Sequence, residues 1–220
     1  MEALIQNLLH ITDPTLLKQL ATLGTIEHLR KGDVLLEIGD LQKNMSILID
    51  GVLRFYYRDQ NHKEYTLCFV CDPGYPAMVD AYTKSVLSGA HAVTDTNLFS
   101  VPMEVGLELI PRHPELMNMY TSILRRSLLF HVEIAMILRG CTALQRYMWF
   151  LKTFPGVDNV ANGRHIASFL NIAPETLSRL RAKKREDPQD FGRMYNLYSE
   201  KNFDTVLGDV DTDGPFEPLP

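Results

Sequence analysis

Apolar and polar residues follow two rhythms along this chain, and the change falls near Pro111. From about Ile26 the apolar positions come in short runs: Val34–Leu36, Ser46–Ile49, Val52–Tyr57, Tyr65–Val70 and Leu98–Val101. Gly32-Asp33, Gly39-Asp40, Asp50-Gly51 and Asp59-Gln60-Asn61 fall between or beside them as turn signals. Short strands with regular turns and no helix between them predict a sandwich, barrel or jelly roll. Ahead of this region, to about Leu23, the pattern predicts one or two short helices, with Asp13 as a cap and Pro14 in a first turn.

After Pro111 and Pro114 the period becomes helical. Leu116, Tyr120, Ile123, Ser127, Phe130, Ile134 and Ile137 alternate spacings of four and three, which predicts one continuous seam suited to a helix pair. Leu124, Leu128, Ala135 and Leu138 form a second stripe, expected to pack on the β-domain. A helix with two apolar stripes has two surfaces to cover, which favours self-association over burial within one domain. Arg139-Gly140 interrupts the run as a hinge. A shorter helix, about Thr142–Phe154, buries Leu144, Tyr147, Met148 and Leu151, with Trp149 read as packing; residues 157–162 read as a polar linker.

Residues 163–184 carry the chemistry. A helix-turn-helix needs a small residue where its two helices cross, and Ala167 supplies it; Ile166, Leu170, Ile172, Leu177 and Leu180 glue the pair. The turn needs a residue tolerant of left-handed backbone, and Asn171 is suited. Pro174 fits the first turn of the second helix. With Leu177 and Leu180 inward, that helix presents Glu175, Thr176, Ser178, Arg179 and, farther along, Lys183. Early residues of such a helix enter the major groove, so Glu175 and Arg179 are the base-edge candidates: arginine donates twice to guanine and glutamate accepts from cytosine. Thr176, Ser178, Lys183 and Lys184 are the phosphate candidates. Glu175 and Arg179, four apart, also form a candidate surface ion pair that would orient the arginine.

Charge agrees once it is divided. The 220 residues sum to −5, but nine Asp/Glu and two Lys/Arg fall in residues 186–220, leaving +2 for residues 1–185. Five cations crowd Arg179–Arg185, enough to neutralise phosphates. Hydrophobic content of 45% with 22% charged residues fits a globular chain that buries a core. The start lacks the basic region of a secretory leader, and Leu128–Leu138 is interrupted by His131 and Glu133, so neither export nor a membrane span is expected. Three cysteines cannot complete a disulfide set, which favours the cytoplasm.

A turn-rich β-domain, a long helix, a hinge and the string Pro174-Glu175-Thr176-Leu177-Ser178-Arg179-Leu180 together resemble the Crp/Fnr family of bacterial transcription regulators, over about residues 15–185. Lys31-Gly32-Asp33-Val34-Leu35, Gly39-Asp40 and Ile47–Arg54 are similar to the family's cyclic-nucleotide-type β-roll. The resemblance implies an α+β fold: a jelly-roll-like β-roll over 1–111, a dimerisation helix over 112–139, a DNA-binding helix-turn-helix over 140–185 and a partly disordered acidic tail over 186–220. It also implies a cytoplasmic homodimer on double-stranded, two-fold symmetric promoter DNA, with RNA polymerase a candidate partner, and it places Glu175 and Arg179 at base-reading positions.

Departures narrow this. In nucleotide-binding members a glycine and glutamate hold the ribose, and an arginine after a proline holds the cyclic phosphate. The matching stretch here runs Asp72–Asp80, and Ser88-Gly89-Ala90-His91-Ala92-Val93 stands where the arginine is expected. Without that cation a buried phosphate would go unpaired. No cyclic-AMP binding is expected, with His91 at most a weak substitute and any effector left open. Cys68 and Cys71 have redox-motif spacing, but positions three apart on a strand face opposite sides, and no second ligand pair follows for zinc. His62 and His91 are isolated, which speaks against a cupin-type metalloenzyme; no nucleophile–base set is visible, so neither catalytic residues, metal nor cofactor is expected. In the tail, Phe191, Tyr195, Leu197 and Tyr198 are docking candidates, and nothing alternates like the wing that family members carry. The rival reading is a sensor or scaffold that binds no DNA and whose helical hairpin merely packs.

Overall fold

The computed structural model describes residues 1–77, 86–189 and 191–192. The chain divides at Leu124/Arg125 into two compact units, each with its own core.

The first unit opens with helices α1 (Glu2–Leu9) and α2 (Pro14–Leu23). Asp13 caps α2 by accepting from the Thr15 and Leu16 amides, with Pro14 in its first turn. Among the described residues seven strands follow: β1 (Thr25–Leu29), β2 (Val34–Leu36), β3 (Asn44–Asp50), β4 (Leu53–Arg58), β5 (Glu64–Val70), β6 (Gly89–Ala92) and β7 (Thr96–Pro102). They make two antiparallel sheets, ordered β1-β7-β3 and β2-β6-β4-β5. Leu48, Leu53, Phe55, Ala90 and Leu98 fill the space between the sheets. The other face of β3 and β7, with Met45, Ile47, Phe99 and Val101, packs on Ile5, Leu16, Leu20 and Leu109. Leu109 belongs to α3 (Met103–Leu109), which a 3-10 turn, Ile110–Arg112, joins to the long helix.

Helix α4 runs Pro114–Gly140. Of its expected seam, Leu116 is buried in the first unit's core, Ile137 is buried in the second and Phe130 packs against Trp149 and Phe154, while Tyr120, Ile123, Ser127 and Ile134 are half-buried. Of the second stripe, expected on the β-domain, Leu124 and Leu128 are instead exposed, Leu128 at 66%, while Ala135 and Leu138 are half-buried; Met117, Val132 and Met136 extend the exposed apolar face. The aromatic cluster of the second unit covers the first stripe at Phe130.

In that unit two residues separate α5 (Ala143–Thr153) from the end of α4, so the interruption falls at Cys141-Thr142 and not at Arg139-Gly140. Thr142 and Gln145 close a reciprocal capping box there. Residues 157–160, expected as linker, form one helical turn, α6 (Val157–Val160). The helices α7 (Gly163–Phe169) and α8 (Pro174–Glu186) complete the unit, with Trp149, Phe150, Phe154 and Phe169 in mutual ring contact at its centre. Phe191 is buried against Tyr147. Tyr195, Leu197, Tyr198, any wing and the rest of the acidic tail lie outside the described residues, as do Met78 to Asp80.

Candidate nucleic-acid interface

The two helices α7 and α8 form a hairpin for the reasons its letters give. Asn162 caps α7 through the Arg164 amide, and Ile166, Ala167 and Leu170 are fully buried where the helices cross. Asn171 takes φ 50°, the left-handed conformation the turn requires. Pro174 occupies the first turn of α8, and Leu177 is buried beneath it. A part of the support that the sequence did not announce is Arg146. Its Nη1 donates to the carbonyls of Leu170 and Asn171, both at 3.1 Å, and its Nε to Cys141 O at 3.0 Å. Carbonyls at the end of α7, left without helical partners, are satisfied by this one guanidinium.

On α8, Glu175, Ser178, Arg179 and Lys183 are exposed and Thr176 is partly exposed. Glu175 and Arg179 do not pair; Arg179 Nη2 instead donates to Thr176 Oγ1 at 3.3 Å. Lys184 departs from its expected place. Its Nζ lies 3.6 Å from an Asp158 carboxylate oxygen and 6.0 Å from the Tyr147 ring centre, on the side of the helix that faces its own unit. Arg181 is turned inward as well, 2.9 Å from Asp158. Both follow from helical geometry, because Leu177, Arg181 and Lys184 are spaced four and three and share one face. Arg164 and Arg185, not among the expected contacts, are exposed and line a groove of about 360 Å³ with Ser178, Gly163, Asn162 and the Asp158-bound Arg181. Their signal was in the sequence: a cation in the first turn of α7 and another at the end of α8.

In the β-roll the stretch where a phosphate arginine would stand is largely strand β6, paired with β2 on one side and β4 on the other. His91 sits opposite Arg54 and 5.7 Å from the Tyr56 ring. Burial, then the Arg54 charge, holds His91 below its ordinary pKa. Arg54 is itself committed, with Nε to Thr66 Oγ1 at 2.8 Å and Nη1 to Glu64 at 2.9 Å. Burial pushes the Cys68 thiol up to about 12, and burial with the neighbouring Asp72 carboxylate pushes Cys71 up to about 11, so neither is a ready thiolate. Among the described residues no cluster of metal-ligating side chains occurs, and no helix is long and apolar enough to cross a membrane.

A two-sheet β-roll, a 27-residue helix and a helical unit ending in a helix-turn-helix define a known architectural class. No family model and no curated protein matches the sequence. Among solved structures the chain is similar to FixK2 from Bradyrhizobium japonicum, at 17% identity over 75% of this chain and 86% of that one, with a TM-score of 0.67. It is similar also to CLP, described as a c-di-GMP responsive global regulator, from Xanthomonas campestris, at 13% identity over 80% and 93%, with a TM-score of 0.64. A Eubacterium rectale protein described as being of the Crp/Fnr family aligns at 17% identity over 80% and 85%, with a TM-score of 0.61. The fold of this chain is the Crp/Fnr type.

Proposed function

We propose that the chain is a sequence-specific DNA-binding regulator of transcription that acts as a homodimer. One observation carries the reading: a helix packed by Leu177 on one side holds Glu175, Ser178, Arg179 and Lys183 in solvent on the other, within the α7–α8 hairpin. Arg179 and Glu175 read base edges, and Thr176, Ser178 and Lys183 hold phosphates with Arg164 and Arg185 added. Lys184 is left out of the contact set because its partner is Asp158. The apolar stripe Met117, Leu124, Leu128, Val132 and Met136 supports a second copy as the partner of α4. A two-fold dimer presents two α8 helices and so reads a symmetric promoter site, where RNA polymerase is the natural partner. Cyclic AMP is not proposed as an effector, since a neutral His91 and an Arg54 held by Glu64 supply no free cation for a cyclic phosphate. Catalysis is not proposed.

The test is binding to a duplex selected from random DNA, measured across salt. Affinity is expected to fall steeply, by about 0.9 log unit per tenfold salt for each phosphate neutralised. Arg179→Ala is expected to cost about 1–3 kcal/mol on the selected site and to relax preference at one base position. Lys183→Ala weakens selected and random duplexes alike. A flat salt response with a silent Arg179→Ala returns the helical hairpin to a packing role and the protein to the scaffold class.

A further inference from the structure

We propose that Asp158, which is outside the recognition helix, is a positioning residue that sets how α8 is presented and withholds two of its cations from DNA. The proposal rests on the DNA-binding reading above. Asp158 lies on the short turn α6, and its side chain is only 10% exposed. Four contacts converge on it. Arg181 Nε donates to Oδ1 at 3.0 Å, while Arg181 Nη2 donates to the Asp158 carbonyl at 2.8 Å. Tyr147 donates its hydroxyl to Oδ2 at 2.8 Å, and Lys184 Nζ stands 3.6 Å from the same oxygen. Tyr147 is fully buried on α5, so the carboxylate is fixed from behind before α8 reaches it.

A planar guanidinium held by a carboxylate and a carbonyl together cannot rotate freely, and a helix tied at Arg181 and Lys184 cannot roll about its axis. The approach is close. A Cβ added at Gly163 would stand 3.0 Å from Arg181 Nη1, so the start of α7 leaves just enough room for the arginine to pass. Of the five cations in Arg179–Arg185, Asp158 engages two, Arg181 with its side chain 27% exposed and Lys184 at 41%; Arg179, Lys183 and Arg185 are exposed. One carboxylate thereby separates the helix into an anchored face and a reading face. The carboxylate is nearly out of solvent and bonded on both oxygens, so its one negative charge is shared between Arg181 and Lys184, with the arginine the closer partner.

The decisive variant is Asp158→Asn in the full chain, which keeps shape and an acceptor for Tyr147 while removing the charge. Competition between the selected duplex and random DNA is measured across salt, together with amide hydrogen exchange of residues 174–186 in the DNA-free protein. Discrimination is expected to fall at least tenfold, and exchange along α8 to quicken. The salt slope on random DNA is expected to steepen by about 0.9–1.8, as Arg181 and Lys184 become available to phosphates. Loss of stability alone would weaken both duplexes in parallel and leave the slope unchanged, and that result overturns the proposal. Arg181→Gln, which breaks the same bridge without freeing that cation, is expected to lose discrimination with no comparable steepening. Should it discriminate as the wild type does, the positioning role is likewise overturned. A wild type that discriminates between no duplexes defeats the DNA-binding reading itself, a failure visible before either variant is made.

Discussion

His91 shows how one side chain can report on the β-roll. Burial and the Arg54 guanidinium favour its neutral form in the folded state, while the unfolded chain titrates near 6.5. Above that value both states are neutral and the residue is silent. As pH falls through it, the unfolded chain takes up a proton that the folded chain refuses, so stability declines on acidification toward the lowered folded pKa. Glu64 and Glu115 carry the same sign, but they act lower, because their folded values sit below an ordinary carboxylate range. Burial opposes ionisation of Glu64, and hydrogen bonds from Arg54 and Arg58 outweigh it; Glu115 is held down by the Thr12 hydroxyl and the Thr12 and Asp13 amides. Thermal unfolding from pH 7.5 to 5 should therefore show the wild type losing midpoint faster than His91→Gln. Parallel curves would mean that His91 is as free in the fold as out of it.

Elements differ in how far their letters betray them. The strands that form short apolar runs, β3, β4, β5 and β7, were legible within a residue or two of their ends, because half-buried antiparallel pairs need that pattern. Strand β6 was not, since Gly89-Ala90-His91-Ala92 has little bulk; it occupies a place between β2 and β4 where a side chain at Gly89 would run into the Tyr56 ring. The helix-turn-helix was legible because Ala167, Asn171 and Pro174 are each demanded by backbone geometry. What stayed hidden was long-range. Lys184 read as a phosphate contact and Arg181 as one more cation of the basic cluster until Asp158, 26 and 23 positions earlier, is brought beneath them. Helix α4 hid its orientation for a related reason: period defines stripes, and only the neighbours decide which stripe they cover. The correction yields its own test. Leu128→Glu, at the most exposed point of the apolar face, is expected to shift the proposed dimer to monomer in sedimentation or light scattering, with circular dichroism unchanged. Ile137→Glu, on the covered stripe, should instead unfold the second unit, because an unpaired charge would be buried there. If both variants remain dimeric and folded, α4 is not the seam.

At the scale of the whole chain, charge is divided against itself. Residues 1–185 sum to +2 and residues 186–220 to −7, so the basic helix is followed directly by its electrostatic opposite. On the proposed DNA-binding reading, an acidic segment joined to that helix would compete with DNA, most strongly at low salt. Where to cut is a structural question. Ending the chain at Arg185 would remove Phe191, which is buried on Tyr147, the same ring that supports Asp158. Ending it at Gly192 keeps that contact and removes six acidic and two basic residues. The shorter chain should bind random DNA several-fold more tightly at low salt, with the difference vanishing as ionic strength rises past the range where surface charges are screened. Its preference for the selected site should be unchanged or lower, since the tail competes for phosphate contacts and not for base edges. Equal affinity of the two chains at low salt would reduce residues 193–220 to a solvated extension, and the recognition surface would then owe nothing to the charge that follows it.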